Sequence, residues 1–221
     1  LMDLRGWDGG TIPLDGQWEF YPGQWLQGGE NRSDRTAREI SVPGNWNGYL
    51  NEDGDPSAGA FGYGSYRLRI LVDPEKDPTY GIRVPSVRSS SALYVNGRLL
   101  ARSGLPSDSG DTYMARNVPY SASFTADRSG YIEVIVQAAN YKDVRKGGIV
   151  RSLKFGTEAA VARETMLSMS MQLFAAVAFL IHAGYAFVLY LVGTREKRLI
   201  FFALLTVSAM LLDSLGREEK V

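Results

Sequence analysis

The sequence contains no cysteine and only one histidine, His182. Without cysteine the chain cannot hold a disulfide scaffold, a thiol nucleophile or a zinc–thiolate site. Because His182 lies within a long apolar stretch, the rest of the chain also lacks the imidazole that Ser–His–Asp and Cys–His catalysis require. We therefore expect no enzyme activity, no cofactor and no metal site in this chain, although a hydrolase with paired carboxylates remains formally open.

Net charge is also absent, since 24 basic residues balance 24 acidic ones. This balance gives no indication of a nucleic-acid partner. The charge is spread unevenly, because residues 165–194 contain no Asp, Glu, Lys or Arg, whereas residues 15–154 are rich in charged and turn-forming residues. The sequence thus predicts two parts that face different solvents.

The sequence opens without the basic and apolar regions of a signal peptide, so we expect any export signal to lie outside it or to have been removed.

The part that we place at residues 1–156 consists mainly of short apolar runs separated by Gly, Pro, Asn and Asp, which is typical of an antiparallel β-sandwich. In residues 65–72 and 131–139 the apolar side chains alternate, so one face of each strand is expected to be buried. Asn96 and Gly97 lie between two apolar runs and predict a type I′ hairpin. We expect a mainly β fold of about eight strands, a jelly roll or a close relative.

A helical pattern follows. Thr157 is a suitable N-cap, and Glu158 in the first turn favours the helix dipole. The next residues are mostly apolar and include no proline, which predicts one continuous helix over residues 157–193. At 1.5 Å per residue the uncharged stretch would reach about 45 Å, more than the ~30 Å hydrocarbon core of a bilayer. We therefore predict a first transmembrane span; the alternative, a buried core helix, would need apolar partners on all sides.

A second apolar segment begins at residue 199 and predicts a second transmembrane span over residues 199–216, which we expect to be truncated in this sequence. The short turn between the two spans, residues 194–198, carries three basic residues. The positive-inside rule places such a turn in the cytoplasm. The sequence thus predicts a multi-pass protein of the cell membrane whose N-terminal domain is extracellular.

His182 lies in the middle of the first predicted span. An ionisable side chain at that depth is a candidate for a functional site or a proton relay that faces other helices. The alternative is a neutral imidazole that hydrogen-bonds to a neighbouring helix. Its partner is expected on a helix that this sequence does not include.

Two acidic loops, residues 51–56 and 107–112, contain part of a calcium-loop pattern, but the twelve-residue spacing with its closing Glu is missing. Whether Asp53 and Asp55 bind calcium is left open. Residues 145–150, "RKGGIV", are compatible with an anion-binding nest of backbone N–H groups or with a plain glycine turn.

Aromatic residues concentrate in the first third of the chain, several of them next to Gly or Asn. Aromatic faces with nearby amide and Arg donors suit carbohydrates or other small polar ligands. Loops and strand ends usually carry the binding sites of a sandwich, so the candidate ligand-binding residues are Asn45, Trp46, Tyr49, Tyr63, Arg88, Asn140 and Lys146. The alternative is a role in the core, which we expect for at least half of Trp18, Phe20, Trp46 and Tyr66.

An ordered series of motifs carries a family resemblance: "IPLDGQWEFYPGQWL" (12–26), "VPGNWNG" (42–48), "GYGSYRLRI" (62–70), "ALYVNGRLLARSG" (92–104), "IEVIVQAANY" (132–141) and "KGGI" (146–149). Together with "LKFGTEAAVARE" and the two apolar segments, this series resembles the bacterial seven-transmembrane receptors with diverse intracellular signalling modules. The resemblance implies an extracellular sensor domain, further transmembrane helices in the bilayer and an output kinase, cyclase or phosphatase beyond this sequence. A small molecule or glycan is the implied ligand, and a second copy of the chain is a further possible partner.

The same β motifs are similar to the N-terminal sugar-binding jelly roll of the family 2 glycoside hydrolases, in which "VPGNW", "YR" and "VNG" recur. This similarity implies a galactose-binding-like jelly-roll sandwich followed by transmembrane α-helices. It does not imply hydrolysis, because the catalytic barrel of that family has no counterpart in the sequence. Val150 departs from the pattern, since Trp is expected after "GGI". The expected function is ligand sensing by a signal-transduction receptor; the alternative is a membrane-anchored carbohydrate-binding or adhesion module without signalling.

Overall fold

The computed structural model describes residues 1–28, 37–50, 59–74, 79–194 and 196–220, and of residues 172, 194 and 210–220 it describes the backbone alone. Asp53 and Asp55, which were considered as calcium ligands, lie outside the described residues. Arg195 of the basic turn lies outside them as well. The chain divides into two compact units, Leu1–Ala162 and Arg163–Lys220, which are treated separately below.

The described part of the first unit is built from β-strands. Their bounds are β1 Met2–Asp3, β2 Ile12–Pro13, β3 Gly16–Pro22, β4 Arg38–Val42, β5 Gly62–Leu71, β6 Thr79–Val84, β7 Ser90–Val95, β8 Arg98–Ser103, β9 Tyr120–Thr125, β10 Tyr131–Asn140 and β11 Lys154–Thr157. Eleven strands are thus described where about eight were expected. Part of the difference comes from β1 and β2, which have two residues each and are too short to show a periodic pattern.

The strands form two sheets that pack face to face. The larger sheet has the order β4-β3-β5-β10-β7-β8, with antiparallel neighbours throughout, and β1 adds to β5 in parallel. The smaller sheet has the order β2-β11-β6-β9 and is antiparallel. A single apolar core takes side chains from both sheets. The predicted mainly β fold with antiparallel sheets is confirmed.

The alternation predicted from the sequence decides which faces are buried. In β5, Leu68 and Ile70 point into the core, whereas Arg67 and Arg69 between them remain partly exposed. In β10, which is paired on both sides, Ile135 is buried on the opposite face as well. The four aromatic residues considered for a role in the core are each at most 1% exposed: Trp18, Phe20, Trp46 and Tyr66.

The hairpin predicted between β7 and β8 is confirmed. Asn96 and Gly97 have φ angles of 47° and 77°. Both residues therefore lie in the left-handed region that a type I′ turn requires, and this is why the sequence places Asn and Gly there.

The second unit consists of helical segments. Helix α1 covers Glu158–Leu189 and begins directly after β11; a π-helical turn covers Tyr190–Thr194, and helix α2 covers Lys197–Lys220. Among the described residues one helix, Glu158–Gly193, is long and apolar enough to cross a membrane; its best 18-residue window has a mean hydropathy of 2.0 and is 6% buried. This finding concerns length and composition alone. The second span expected over residues 199–216 stays a prediction.

Candidate functional site

Strand register brings several predicted binding residues to one end of the larger sheet. The end of β10 meets the starts of β5 and β7 there, since Asn140 pairs with Gly62 and Ala139 with Ser90. We call this the distal end. Helix α1 begins at the opposite end, where Thr157 lies beside the residues that follow β5. About ten residues of strand, roughly 33 Å, separate the two ends.

Asn140 connects three loops at the distal end. Its fully buried side chain donates from Nδ2 to the carbonyl oxygens of Ala60 (2.9 Å) and Asp143 (2.7 Å). Its Oδ1 accepts from the N–H groups of Lys142 (3.2 Å) and Asp143 (2.9 Å) and from the hydroxyl of Ser89 (2.9 Å). Because donors and acceptors are both used, an amide fits this position and a carboxylate does not.

Arg88 and Asp143 form an ion pair beside Asn140, and only 17% and 14% of their side chains are exposed. Burial by itself would raise the pKa of Asp143, but the N–H of Arg145 and the guanidinium of Arg88 outweigh burial, so that the pKa is lowered. Two enclosed polar atoms here, Nε of Arg88 and Oδ1 of Asn47, have no hydrogen-bond partner in the described part of the chain. Ser89, Asn140, Arg88 and Asp143 together are called the distal polar cluster.

The backbone of Arg88 is tied to the glycine pair of "RKGGIV". The N–H of Arg88 donates to the carbonyl oxygen of Gly148 (3.0 Å), and the N–H of Gly148 donates to the carbonyl oxygen of Arg88 (3.2 Å). The Gly148 N–H is therefore engaged by protein, which favours the glycine turn over the anion-binding nest for this segment.

Both glycines are needed because two aromatic rings pack against them. The ring of Trp46 stacks on Tyr66, with centroids 6.3 Å apart and planes 9° apart. A Cβ on Gly147 would overlap the indole of Trp46, and a Cβ on Gly148 would overlap the hydroxyl of Tyr66. Burial raises the pKa of the Tyr66 hydroxyl. The "KGGI" motif thus has a packing role.

Four half-buried aromatic side chains lie near the distal polar cluster. The rings of Trp25 and Tyr63 are 4.8 Å apart, and those of Tyr113 and Tyr141 meet edge to face at 5.3 Å. Burial raises the pKa of Tyr141, and Tyr63 and Asp108 raise it further. The strand register places Tyr63 opposite Ala139, two residues before Tyr141, so the two ring pairs lie at the same end of the sheet. The hydroxyl of Tyr141 donates to the carbonyl oxygen of Asp108 (2.8 Å). We call these four residues the aromatic patch.

The aromatic patch joins the distal polar cluster through a direct hydrogen bond between the hydroxyls of Ser89 and Tyr113. Rings, a guanidinium and a carboxylate therefore share one partly exposed surface. Such a surface can stack on the flat face of a sugar-like ligand and hydrogen-bond to its hydroxyl groups.

The other predicted ligand-binding residues occupy varied positions. Trp46 and Asn140 are completely buried, so they support the loops and present no side-chain atom to solvent. Asn45 is exposed, and its Oδ1 accepts from the N–H of Asn47 (3.1 Å). Tyr49 is half-buried against the core. Lys146 is exposed, and its carbonyl oxygen accepts from Asn140 (3.4 Å).

The sequence analysis did not assign binding roles to several members of this surface: Trp25, Ser89, Tyr113, Tyr141 and Asp143. The signal for two of them was present in "NYKD", where Asn140 is followed by an aromatic residue and, three positions on, by a carboxylate. An Asn at a strand end commonly bonds to the backbone of the next residues, which predicts a tight loop there.

The acidic loop at residues 107–112 is held by its own hydroxyl groups. The side chains of Ser107 and Thr112 are hydrogen-bonded, and Oγ of Ser109 accepts from the N–H of Asp111 (3.3 Å). Across the described ranges, no group of three or more His, Cys, Asp or Glu side chains is arranged to hold a metal ion.

A second polar cluster lies on the outer face of the larger sheet. Arg67 pairs with Glu19 and lies over the ring of Tyr21, 5.1 Å from its centroid. Burial would raise the pKa of Glu19, but hydrogen bonds from Tyr21 and Arg67 lower it overall; burial and Glu19 raise the pKa of Tyr21 to about 12. The members of this cluster satisfy one another, which is typical of a structural role.

His182 forms a hydrogen bond within its own helix. Its Nδ1 lies 2.6 Å from the carbonyl oxygen of Ala178, one turn earlier. Because a carbonyl oxygen only accepts, Nδ1 donates in this hydrogen bond, and the side chain lies on an exposed part of α1.

Comparison with protein-family models and with curated proteins finds no match. Solved structures with a similar fold include a GH2 β-galacturonidase from Eisenbergiella tayi, with 17% identity and a TM-score of 0.47, where the match covers 70% of this chain and 26% of that one. A β-glucuronidase from Ruminococcus gnavus has 13% identity and a TM-score of 0.48, with 66% and 27% covered. A β-glucuronidase from Faecalibacterium prausnitzii has 16% identity and a TM-score of 0.48, with 66% and 31% covered.

The chain thus spans between a quarter and a third of the length of these glycosidases. All three matches have identities below 20% and TM-scores below 0.5. They indicate neither an activity nor a binding residue for this chain.

Proposed function

We propose that this chain is the extracellular ligand-sensing domain, a galactose-binding-like jelly roll, and the start of the membrane bundle of a bacterial signal-transduction receptor. The observation that carries the proposal is the direct join between β11 and α1. Thr157 is the last residue of the strand and Glu158 is the first residue of the helix, so no flexible linker separates them. A change in the sandwich can then bias the helix.

Hydrogen bonds hold this join. The hydroxyl of Thr157 donates to the carbonyl oxygen of Gly9 (2.9 Å) and accepts from the N–H of Ala160 in the first turn (3.4 Å). The N–H of Thr157 donates to the same Gly9 oxygen (3.2 Å). Thr157 therefore caps the helix and also connects it to the N-terminal segment by hydrogen bonds.

Close packing holds the join as well. Val161, in the second turn of α1, is 3% exposed. A Cβ added to Gly81 would lie 3.1 Å from Cβ of Val161, and one added to Gly156 would lie 3.2 Å from Cγ2 of Val161. Because these two glycines have no side chain, Val161 packs closely against β6 and β11. This packing restricts rotation of the first turns of the helix.

One continuous stretch of chain connects the distal end with the helix. Asn140 ends β10, the loop that follows contains Asp143, and residues 149–153 lead into β11. A ligand that moves the Asp143 loop would act on β11 through a short and largely buried segment, because Ile149, Leu153 and Phe155 are all 0% exposed.

The surface of α1 supports insertion into a bilayer. Many large apolar side chains of the helix are exposed, for example 69% of Met166, 61% of Leu167, 63% of Met169 and 72% of Phe174. A helix that is apolar on every side is stable in lipid and not in water. We assign α1 as the first span, α2 as the start of the second, and the turn between them to the cytoplasm.

For the ligand we propose a carbohydrate or a similar polar molecule bound at the aromatic patch. Trp25, Tyr63, Tyr113 and Tyr141 supply ring faces, and the distal polar cluster supplies charged groups at the same end. Amphipathic sugar rings use this combination of stacking and hydrogen bonding.

The absence of cysteine permits a direct test of topology. In the full-length protein, after replacement of any cysteine that lies outside this sequence, Ser121→Cys places a thiol on the exposed face of β9, and Glu196→Cys places one in the turn between the helices. We expect a membrane-impermeant maleimide to label Ser121→Cys in intact cells and Glu196→Cys only after lysis. Labelling of both in intact cells, or the reverse pattern, would reject the proposed orientation.

Binding and coupling need separate tests. A glycan array on the purified chain should identify a ligand that Trp25→Ala loses and Tyr131→Ala, at the other end of the sheet, retains. A Gly/Ser insertion at Ala159 should then abolish the response of the full-length receptor and leave binding intact, whereas the same insertion at Arg128, in the exposed turn between β9 and β10, should leave both. If the Ala159 insertion leaves the response intact, rigid coupling is wrong. Binding without any response would favour the alternative of an anchored carbohydrate-binding module.

A further inference from the structure

Helix α1 has a heptad pattern in the part that follows the sandwich. When Ala159 is taken as position a, every a and d position over residues 159–173 is apolar: Ala159, Ala162, Met166, Met169 and Leu173. All of these side chains are exposed. Apolar residues at successive a and d positions form a stripe along which two helices pack in a coiled coil. We call these residues the heptad stripe.

The sandwich occupies a different side of the helix. Val161, at position c, is buried, and it packs where Gly81 and Gly156 have no side chain. At 3.6 residues per turn, position c lies about 130° around the helix from the middle of the a and d positions. Ala159 and Ala162 are exposed for this reason, so the first turns of the stripe are open to a second helix.

The length of α1 places the stripe at the outer boundary of the bilayer. About 20 residues cross the hydrocarbon core, and counted back from Thr194 they end near Ala175. The stripe therefore extends from the outer boundary of the core toward the sandwich, where lipid tails do not cover it. Apolar side chains in such a place gain free energy when another protein surface buries them. This step rests on the proposed membrane insertion and orientation of α1.

Two charged residues border the stripe and indicate what packs against it. Glu158 is at a g position and Arg163 is at the next e position. In a parallel pair of identical helices, g of one copy lies beside the following e of the other, so Glu158 of one copy meets Arg163 of the second. Two-fold symmetry repeats this contact. In an antiparallel pair g faces g and e faces e, so like charges would meet.

The charges of Glu158 and Arg163 are available for such contacts. Both side chains are exposed, and neither is in an ion pair within the part of the chain that the structure describes. The charge pattern is therefore complementary to a second copy of this chain in parallel orientation.

We propose that the heptad stripe is a homodimer interface, in which the α1 helices of two copies pack in parallel and Glu158 and Arg163 pair between them. Two copies in one membrane have this orientation, because both sandwiches then lie on the same side. The small side chains of Ala159 and Ala162 allow the helices to approach closely next to the sandwiches, and the larger Met and Leu side chains fill the interface nearer the membrane.

Disulfide cross-linking tests the interface, since this sequence contains no cysteine. The full-length protein is used in native membranes, after replacement of any cysteine outside this sequence. Met166→Cys and Met169→Cys place thiols at a and d positions, where the two copies are close enough for a disulfide. Under mild oxidation we expect about fivefold more cross-linked dimer from these variants than from a thiol on the far side of the helix.

Met171→Cys supplies that matched control. The substitution is the same, and Met171 is 70% exposed against 69% for Met166. Position f of Met171 lies about 170° around the helix from the middle of the stripe, so its two thiols point away from each other in the proposed dimer. Random collisions in the membrane would cross-link all three variants equally.

The charge contact is tested in the Met166→Cys background. Arg163→Glu places a carboxylate beside Glu158 of the second copy, and Glu158→Arg places a guanidinium beside Arg163. Each single reversal should lower the yield of dimer about threefold, and the double variant Glu158→Arg/Arg163→Glu should restore it. Restoration excludes damage to the helix as the cause, because the double variant carries both changes. Arg151→Glu, at an exposed residue before β11, should leave the yield unchanged.

The proposal is overturned if no dimer is cross-linked, if Met171→Cys cross-links as strongly as Met166→Cys and Met169→Cys, or if the single reversals have no effect. It is also overturned if the double reversal fails to restore the yield. Failure of the proposed function is recognised separately. The maleimide test reports orientation and the glycan array reports binding, and a chain that passes both without a cross-link is a receptor that lacks this interface.

Discussion

The indole ring of Trp46 occupies the space that a side chain on Gly147 would need. A Cβ on Gly147 would overlap Nε1 of Trp46 and would lie 2.7 Å from the carbonyl oxygen of Ala60, and the backbone N–H of Trp46 donates to the Gly147 carbonyl oxygen at 3.1 Å. The loop after β4 is thereby fixed to the loop after β10, which carries Asp143. The position of the distal polar cluster depends on this contact.

Replacement of Gly147 by Ala is expected to lower the free energy of unfolding by about 1–3 kcal/mol, because the added methyl group overlaps ring and backbone atoms that cannot move freely. Gly110→Ala is the matched control, since no atom lies within 4 Å of its Cβ position. Its effect should stay within ~0.5 kcal/mol. Urea unfolding followed by tryptophan fluorescence measures both, and equal values for the two variants would contradict the packing role.

Asn140→Asp is expected to destabilise the domain by more than ~2 kcal/mol. The carboxylate would place an oxygen atom where Nδ2 now donates to the carbonyl oxygens of Ala60 and Asp143, and its charge would be fully buried. Asn45→Asp makes the same chemical change at an exposed site and keeps the acceptor for the N–H of Asn47. Thermal unfolding should separate the two variants clearly; similar melting temperatures would show that the Asn140 amide is dispensable.

The ion pair of Arg88 and Asp143 is expected to make stability depend on pH in the acid range. Since the folded state lowers the pKa of Asp143, this carboxylate stabilises the fold above its unfolded pKa of about 4, and the contribution is lost as the pH falls through the folded-state pKa. In Asp143→Asn the slope of the unfolding free energy against pH should flatten below about pH 4. Asp111→Asn, at an exposed carboxylate, should keep the wild-type slope.

Thr157→Val is expected to loosen the start of α1. The substitution keeps the shape of the side chain but removes the hydroxyl that bonds to Gly9 and Ala160, at a cost of about 1–2 kcal/mol. Hydrogen exchange at the N–H of Ala160 should become roughly 5- to 30-fold faster. Thr125→Val, at an exposed position of β9, should leave that rate unchanged, and an unchanged rate in Thr157→Val would show that packing alone holds the helix.

Much of the β architecture was predictable because strand faces and tight turns leave local patterns. The alternation in β5 indicated which side chains enter the core, and Asn96-Gly97 indicated the hairpin between β7 and β8. The short strands β1 and β2 were not predictable, since two residues cannot show a period.

The candidate site was predicted only in part, for a related reason. Arg88 and Asn140 were recognised as strand-end polar residues, but their partner Asp143 and the aromatic residues Tyr113 and Tyr141 were not. A residue type at a strand end reports that a loop begins there. It carries no information on which other loop will meet it, because strand order and register decide that.

The sequence by itself determined the mainly β domain, the type I′ hairpin and one helix apolar enough to cross a membrane, because periodicity, turn chemistry and uninterrupted apolar length are properties of neighbouring residues. Only the tertiary structure decided that Asn140 would bond to Ala60, 80 positions earlier, and to Ser89, 51 positions earlier. The tertiary structure likewise decided that Val161 packs against Gly81. These contacts depend on how two sheets align and pack, which is a property of the whole domain and leaves no local pattern.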